Sequence, residues 1–412
     1  MTTRTLHNRP PFRAEHIGSF IRPAALYDKR LLFEAKQCSK EELKELEDDA
    51  IKAVVDMQRA AGIKTITDGE LRRDIFYEGV FNNLEGISVL DRRMEHFKKY
   101  VPHAALQCDS GLEEAPTFFC NGPVKRTKAF YLEDFKYLKS LVAPEASLRV
   151  EIMNLYLNPL LDQDVKYIKI TMPAPSWIHQ SHGSQDTYDL SLPDEFFDAI
   201  GEAYRAEIAE LYENGCRHIQ IDNPSFCYFC DESMLSGMKA EGVDPEALLD
   251  TYIRAMNICT AGRPSDLTFG VHMCRGNYRG KRFAEGTYAR IATKLFNDLD
   301  VDTFYLEYDG KYCGDFEPLV HLPQNKIAVL GIVTTKKPEL ETIEELEARI
   351  NEAVDAMCKG DQGRSRQEAL NQLCISTQCG FASEWRGNPV TEIDQYKKLE
   401  LLVAAAKHIW GN

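Results

Sequence analysis

Thr268-Phe269-Gly270-Val271-His272-Met273-Cys274 and, thirty residues on, Thr303-Phe304-Tyr305-Leu306-Glu307 are the stretches on which the reading of the fold turns. Each opens with a short β-rich run. Between them, Thr287–Leu299 spaces its apolar residues at helical period. A strand, a helix and a second strand in that order predict a parallel pair joined by a crossover helix. The alternation extends in both directions, with further β-rich runs at Ala14–Ser19, Ile63–Asp68, Tyr167–Thr171, His218–Asp222, Ile327–Val333 and Leu373–Ser376. Helical periods fall at Lys40–Ala61, Asp194–Asn214, Pro245–Thr260, Ile343–Cys358 and Glu392–Ile409. Eight strands with intervening helices predict an α/β fold of the (β/α)₈ TIM barrel type.

The second and third runs lie about a hundred residues apart, far more than a βα connection needs. An insertion between strands 2 and 3, Arg72–Pro159, is therefore expected. It holds a charged, helix-like piece at Asp91–Tyr100 and a strand-like run at Thr117–Cys120 that ends in a turn signal, Asn121-Gly122-Pro123. Without a Gly/Ser linker, an internal repeat or a low-complexity tract, residues 1–412 read as one barrel carrying that subdomain.

Composition bounds the function. The 412 residues are 44% hydrophobic and 27% charged, which suits a large core and excludes intrinsic disorder. Acidic residues outnumber basic ones 64 to 49, a net charge of −15, so the overall field repels nucleic acid and anionic lipid. No run approaches the roughly 20 apolar residues of a membrane span, and the N-terminus lacks the apolar core of a secretory signal. A cytoplasmic protein is expected. Its twelve cysteines are scattered along a long chain, which predicts free thiols in a reducing compartment.

Several of these thiols fall where chemistry is expected. His272 and Cys274, two apart, point to one side of their strand, and Glu307 ends the next. Cys379 follows the last strand. Barrel active sites are built at such C-terminal strand ends, and one histidine, two cysteines and one glutamate predict a tetrahedral Zn²⁺ site. Soft thiolates favour zinc over magnesium or calcium. Cys227 and Cys230 have metal-type spacing but no second pair, and read as packed thiols. Arg275, Arg279, Lys281 and Arg282 form a local basic run; Arg275 is a candidate for an anionic substrate group, with Asp309 near enough to balance it.

The set His272-x-Cys274, Glu307 and Cys379-Gly380-Phe381 resembles the catalytic barrel of cobalamin-independent methionine synthase. His16-Ile17-Gly18-Ser19-Phe20, Asp68-Gly69-Glu70 and Ile219-Gln220-Ile221-Asp222 extend the likeness over nearly the whole chain. Cys274-Arg275-Gly276-Asn277-Tyr278, Leu306-Glu307-Tyr308-Asp309 and Leu330-Gly331-Ile332-Val333-Thr334-Thr335-Lys336 place it nearest the short, single-barrel branch. The resemblance implies a 5-methyltetrahydropteroyltriglutamate–homocysteine methyltransferase-like enzyme of methionine biosynthesis, with zinc holding the acceptor thiol as thiolate. It further implies that Ser19 meets the amino acid's carboxylate, and Glu70 and Asp222 its ammonium. Alkyl transfer or epoxide opening with another thiol, and a non-catalytic zinc-stabilised binding protein, are the alternatives.

Two departures from the family pattern bear on the methyl donor. The full-length enzymes carry a further N-terminal half, and they place a catalytic histidine after strand seven, where this chain has Lys336. Lys336, with Asp309, is then the candidate catalytic group. A lysine is matched to proton delivery only if burial lowers its pKa. Slow turnover with folate donors is expected, and faster turnover with a more activated donor such as a methyl-corrinoid or a sulfonium. Trp177 stands near the family's pterin-contacting tryptophan, out of register with it.

Overall fold

The structure is a computed structural model that describes residues 7, 9–93, 97, 113–143, 165–181, 194–360 and 362–411. Its centre is a parallel sheet of seven strands: β1 (Ala14–Glu15), β4 (Lys169–Pro173), β5 (His218–Asp222), β6 (Thr268–Met273), β7 (Thr303–Glu307), β8 (Ile327–Val333) and β9 (Leu373–Thr377). They lie in the order β1-β9-β8-β7-β6-β5-β4. Every residue of β4 to β9 is buried, as expected of parallel strands covered on both faces. The sheet is curled: Lys169 of β4, at one edge, donates to the carbonyl of His16, just beyond β1 at the other.

The helices lie where period and caps place them. Ser39 with Glu42 opens Lys40–Ala60, Thr342 with Glu345 opens Ile343–Cys358, and Thr391 with Asp394 opens Glu392–Trp410, each as a capping box. Asp194–Glu213 and Pro245–Thr260 pack on one another, the latter with proline in its first turn. The stretch expected to start at Thr287 is helical only over Ala289–Asp298, because the Thr287 hydroxyl accepts the Ala289 N–H ahead of it.

The second expected strand, Ile63–Asp68, is reduced to one parallel bridge between Ile66 and Ile168. Side chains replace its ladder. Gln58 accepts the Thr67 N–H at 2.9 Å and donates to the Thr67 carbonyl at 2.8 Å, while the Thr67 hydroxyl donates to the Gly18 carbonyl at 2.8 Å. His16 Nε2 lies 3.1 Å from the Thr65 carbonyl.

Within the expected insertion, β2 (Leu84–Arg93) and β3 (Glu114–Arg126) form an antiparallel ribbon. Two expectations change here. Asp91, Arg92 and Arg93 are not helical but pair with Pro116, Ala115 and Glu114 of β3; the rest of Asp91–Tyr100, save Phe97, lies outside the described residues. Asn121-Gly122-Pro123 is not a turn. Strand β3 carries it as a bulge: Asn121, Gly122, Pro123 and Val124 stand against the single Gly86 where the register passes from Glu85–Lys125 to Ile87–Cys120. Gly86 has φ +84°, and a Cβ there would lie 2.4 Å from the Pro123 carbonyl oxygen. At the ribbon's end Arg126 Nε donates to Glu207 Oε2 at 3.0 Å, tying it to Asp194–Glu213. Among the described residues no helix is long and apolar enough to cross a membrane.

Candidate metal centre and its cavity

His272 lies near the end of β6 and Cys274 just beyond it, and the loop after β9 carries Cys379. A ligating atom from each lies within 4.8 Å of the other two, and all three residues are buried. The neighbouring Gly380 leaves no room for a side chain, since a Cβ there would meet Ser19 Oγ at 1.9 Å. That close approach fixes the Cys379 loop against the segment after β1, where the Ala382 N–H donates to Ser19 Oγ at 3.3 Å.

The three groups share protons. The Cys379 thiol is drawn well below its ordinary range, first by the hydrogen bond from Cys274, then, against burial, by His272. The same bond, with burial, drives Cys274 well above it. Burial opposes protonation of His272, but its bonds to Asp222 and Cys379 outweigh that and raise it to about 10. The set thus favours negative charge on the Cys379 sulfur beside a raised imidazole, and a divalent cation would occupy it by displacing protons.

The donor chemistry fits such an ion. Two sulfurs and one imidazole nitrogen suit a soft, tetrahedral metal. Asp222 Oδ1 lies 2.9 Å from His272 Nδ1 and the Gln378 carbonyl 3.3 Å from Nε2; a carboxylate so placed would orient the ring for a metal at Nε2. Glu307, the fourth expected ligand, is not in this set. Its Oε2 accepts the Arg275 backbone N–H at 2.6 Å, and its Oε1 accepts from Lys336 Nζ at 2.6 Å and Tyr312 Oη at 2.7 Å. It groups instead with Asp309 and Cys313.

Above the His–Cys–Cys set opens a cavity of about 120 Å³, lined also by Ser19, Glu70 and Asp222. Glu70 sits at φ +56°, takes the Thr171 hydroxyl at 2.7 Å, and has its carboxyl raised by burial, against Arg73, to about 7. Asp222 Oδ1 also accepts from Gln220 Nε2 at 2.8 Å. These three residues, expected to bind substrate, therefore face the same space as the thiols.

Other expected residues lie elsewhere. Arg275 is fully buried and does not line the cavity: its guanidinium stacks 4.2 Å above the Tyr288 ring and donates to the carbonyls of Gly286, at 2.6 Å, and Glu307. It braces two loops and has no donor to spare for a substrate anion. Arg282 pairs with Glu285 at the surface. Lys336 and Asp309 are also absent from the cavity lining; Lys336 reaches Tyr312 Oη at 2.6 Å and Asp309 Oδ2 at 3.5 Å. Burial works against its charge, but Glu307 and Asp309 outweigh it and raise its pKa, the opposite of what proton delivery near neutrality requires. Cys227 and Cys230 are buried, packed thiols held above their ordinary range by burial, and the eleven described cysteines are free.

Of the cavity's aromatic side, sequence reasoning singled out only Trp177. Phe76, Tyr77, Phe118 and Trp177 line it, with Tyr77 and Trp177 centroids 5.3 Å apart. The adjacent Phe76-Tyr77 pair just after Asp68-Gly69-Glu70 was the available signal, and Phe118 belongs to the ribbon.

His272, Cys274 and Cys379 at C-terminal strand ends, beside a cavity, form a candidate enzyme site. The profile of the family described as cobalamin-independent synthase, catalytic domain, matches residues 178–408. The chain belongs to this family of methyltransferases. It is 31% identical to the uncharacterized protein YxjG of Bacillus subtilis, over 98% of this chain and 96% of that protein. The crystal structure of the putative vitamin-B12 independent methionine synthase from Listeria monocytogenes is 28% identical, with a TM-score of 0.70, covering 98% of this chain and 100% of that one. A third relative, the 5-methyltetrahydropteroyltriglutamate–homocysteine methyltransferase of Bacillus velezensis, is 23% identical over 84% of this chain but only 38% of its own length.

Proposed function

We propose that the chain transfers a methyl group to the thiol of homocysteine, forming methionine, with one zinc ion held by His272, Cys274 and Cys379. The observation that carries this reading is the convergence of those three residues, open on one side, at a cavity that also exposes Ser19, Glu70 and Asp222. The name of the Bacillus velezensis relative supplies the acceptor. We also read the curled sheet and its bridged segment at Ile63–Asp68 as an eight-staved barrel spanning residues 1–412, with 72–159 inserted after the second stave; the likeness to the Listeria structure supports it.

Zinc, when bound, lowers the pKa of a coordinated thiol so that it reacts as thiolate at neutral pH. The chain's own residues do the rest. Asp222 fixes the His272 ring, and with Glu70 offers two carboxylates to an ammonium. Ser19 Oγ, set by the Ala382 N–H, points a hydroxyl dipole at the position of the acceptor's carboxylate. The aromatic wall excludes water from the reacting atoms. Lys336 holds Glu307 in place and delivers no proton.

Zinc X-ray absorption with and without homocysteine tests this. A sulfur ligand gained on adding homocysteine is expected; an unchanged spectrum rejects the acceptor.

A further inference from the structure

The cavity holds chemistry that an amino-acid thiol does not use. Its wall is a continuous aromatic surface: Phe76, Tyr77 and Trp177 contact one another with centroids 5.1 to 5.3 Å apart, and Tyr77 meets Phe118 at 5.6 Å. Apart from His272, the charged side chains among its described lining residues are all acidic, Glu70, Asp222 and Glu384, with no lysine or arginine.

Glu384 is the unassigned member. It is only 5% exposed, and its Oε1 is buried without a hydrogen-bond partner. Arg386 Nη1 stands 3.5 Å from Oε2 and Arg279 Nε 3.9 Å from Oε1, both from side chains more than a third exposed to water. Glu70 and Asp222 are occupied by the acceptor's ammonium in the reading above. The aromatic wall and Glu384 are left for the donor.

Aromatic faces attract a weakly hydrated cation, and a buried carboxylate beside them adds a second attraction of the same sign. A neutral planar donor would use the wall alone. A polyanionic donor would meet three carboxyls and, among the described lining residues, no lysine or arginine.

We propose that the methyl donor is a methylated onium cation, a sulfonium, seated against Phe76, Tyr77 and Trp177 with its charge toward Glu384. The proposal rests on the reading that the His–Cys–Cys set holds the acceptor thiol. The step balances without a proton. The acceptor thiolate's lone pair forms the new sulfur–carbon bond, the carbon–sulfonium bond breaks, and its electron pair leaves on the departing sulfur. One thiolate and one sulfonium become two neutral thioethers. A donor of this kind needs no general acid, which agrees with Lys336 being bound to Glu307 outside the cavity.

Calorimetry on the zinc-loaded full chain with tetramethylammonium and its neutral isostere tert-butanol tests the site; trimethylsulfonium with homocysteine tests the reaction. Tetramethylammonium is expected to bind about tenfold or more tighter than tert-butanol. Tyr77→Leu and Glu384→Gln should each lose much of that preference, and Tyr77→Phe should keep it. Trimethylsulfonium should yield methionine and dimethyl sulfide one for one, while tetramethylammonium, with its poorer leaving group, binds without turnover. Equal affinity for the two probes, or faster turnover with methyltetrahydrofolate than with trimethylsulfonium, overturns the proposal. Zinc absorption keeps the two readings apart. A sulfur gained from homocysteine with no onium preference rejects the donor and leaves the acceptor. An onium preference with no sulfur gained leaves the cation site and rejects the acceptor.

Discussion

Asp222 Oδ1 and His272 Nδ1 are 2.9 Å apart at the facing ends of neighbouring strands, where the register pairs Asp222 directly with His272. A two-residue ladder position thus orients the imidazole of the candidate metal centre. The pairing makes Asp222 a positioning residue for the His272 ring as well as a wall of the cavity.

Removing its charge should therefore weaken metal binding before anything else. Asp222→Asn is expected to lower zinc affinity about 10- to 100-fold, measured by competition with a chelating dye. It should also weaken an amino-acid thiol more than a thiol without the ammonium group. Unchanged zinc affinity would separate Asp222 from the metal.

The purified protein should carry close to one zinc per chain by elemental analysis. Cys379→Ser should lose the metal and the activity together while the melting temperature stays near that of the metal-free parent, because the site lies at strand ends rather than in the core. Retained stoichiometric zinc would refute the ligand assignment.

Glu307 is fully buried and receives the Lys336 ammonium, so cutting one partner leaves a buried carboxylate without its cation. Lys336→Met should cost about 3 kcal/mol or more of stability in urea denaturation, and adding Glu307→Gln should restore much of it. Additive losses in the double variant would deny the coupling.

The Glu70 carboxyl, raised by burial to about 7, gives a signed pH dependence. Between the ordinary carboxyl range and pH 7 the folded chain keeps a proton that the unfolded chain has released, so this group's contribution to stability falls as pH rises through that window. Urea midpoints between pH 5 and 8 should show the decline in the parent and a flatter profile in Glu70→Gln. Parallel profiles would mean that Glu70 titrates normally.

What was legible in the chain follows from what local pattern records. The runs His218–Asp222, Thr303–Glu307 and Ile327–Val333 match the observed strands residue for residue, because strands buried on both faces are apolar throughout and bounded by breaks. That His272, Cys274 and Cys379 converge was readable for the same reason, since strand ends are where barrel chemistry collects. The separate grouping of Glu307 was not, as nothing local says that Lys336, 29 residues away, reaches its carboxylate. The ribbon was misread because charge at Asp91–Arg93 marks an exposed strand as readily as a helix, and because Asn121-Gly122-Pro123 makes a bulge within β3 opposite Gly86 instead of a turn that ends it. Phe76, Tyr77, Phe118 and Trp177 come together only by tertiary folding.

The bridged segment at Ile63–Asp68 divides the cavity mechanically. His272, Cys274 and Cys379 hang from strands paired on both sides, whereas Glu70 and the Phe76-Tyr77 wall follow a stave held by one bridge and borrowed side-chain bonds. Local opening begins where backbone bonds are fewest. The metal half of the pocket is thus an anvil and the organic half a spring, so a ligand entering or leaving can be accommodated by the side that recognises carbon without disturbing the side that holds sulfur.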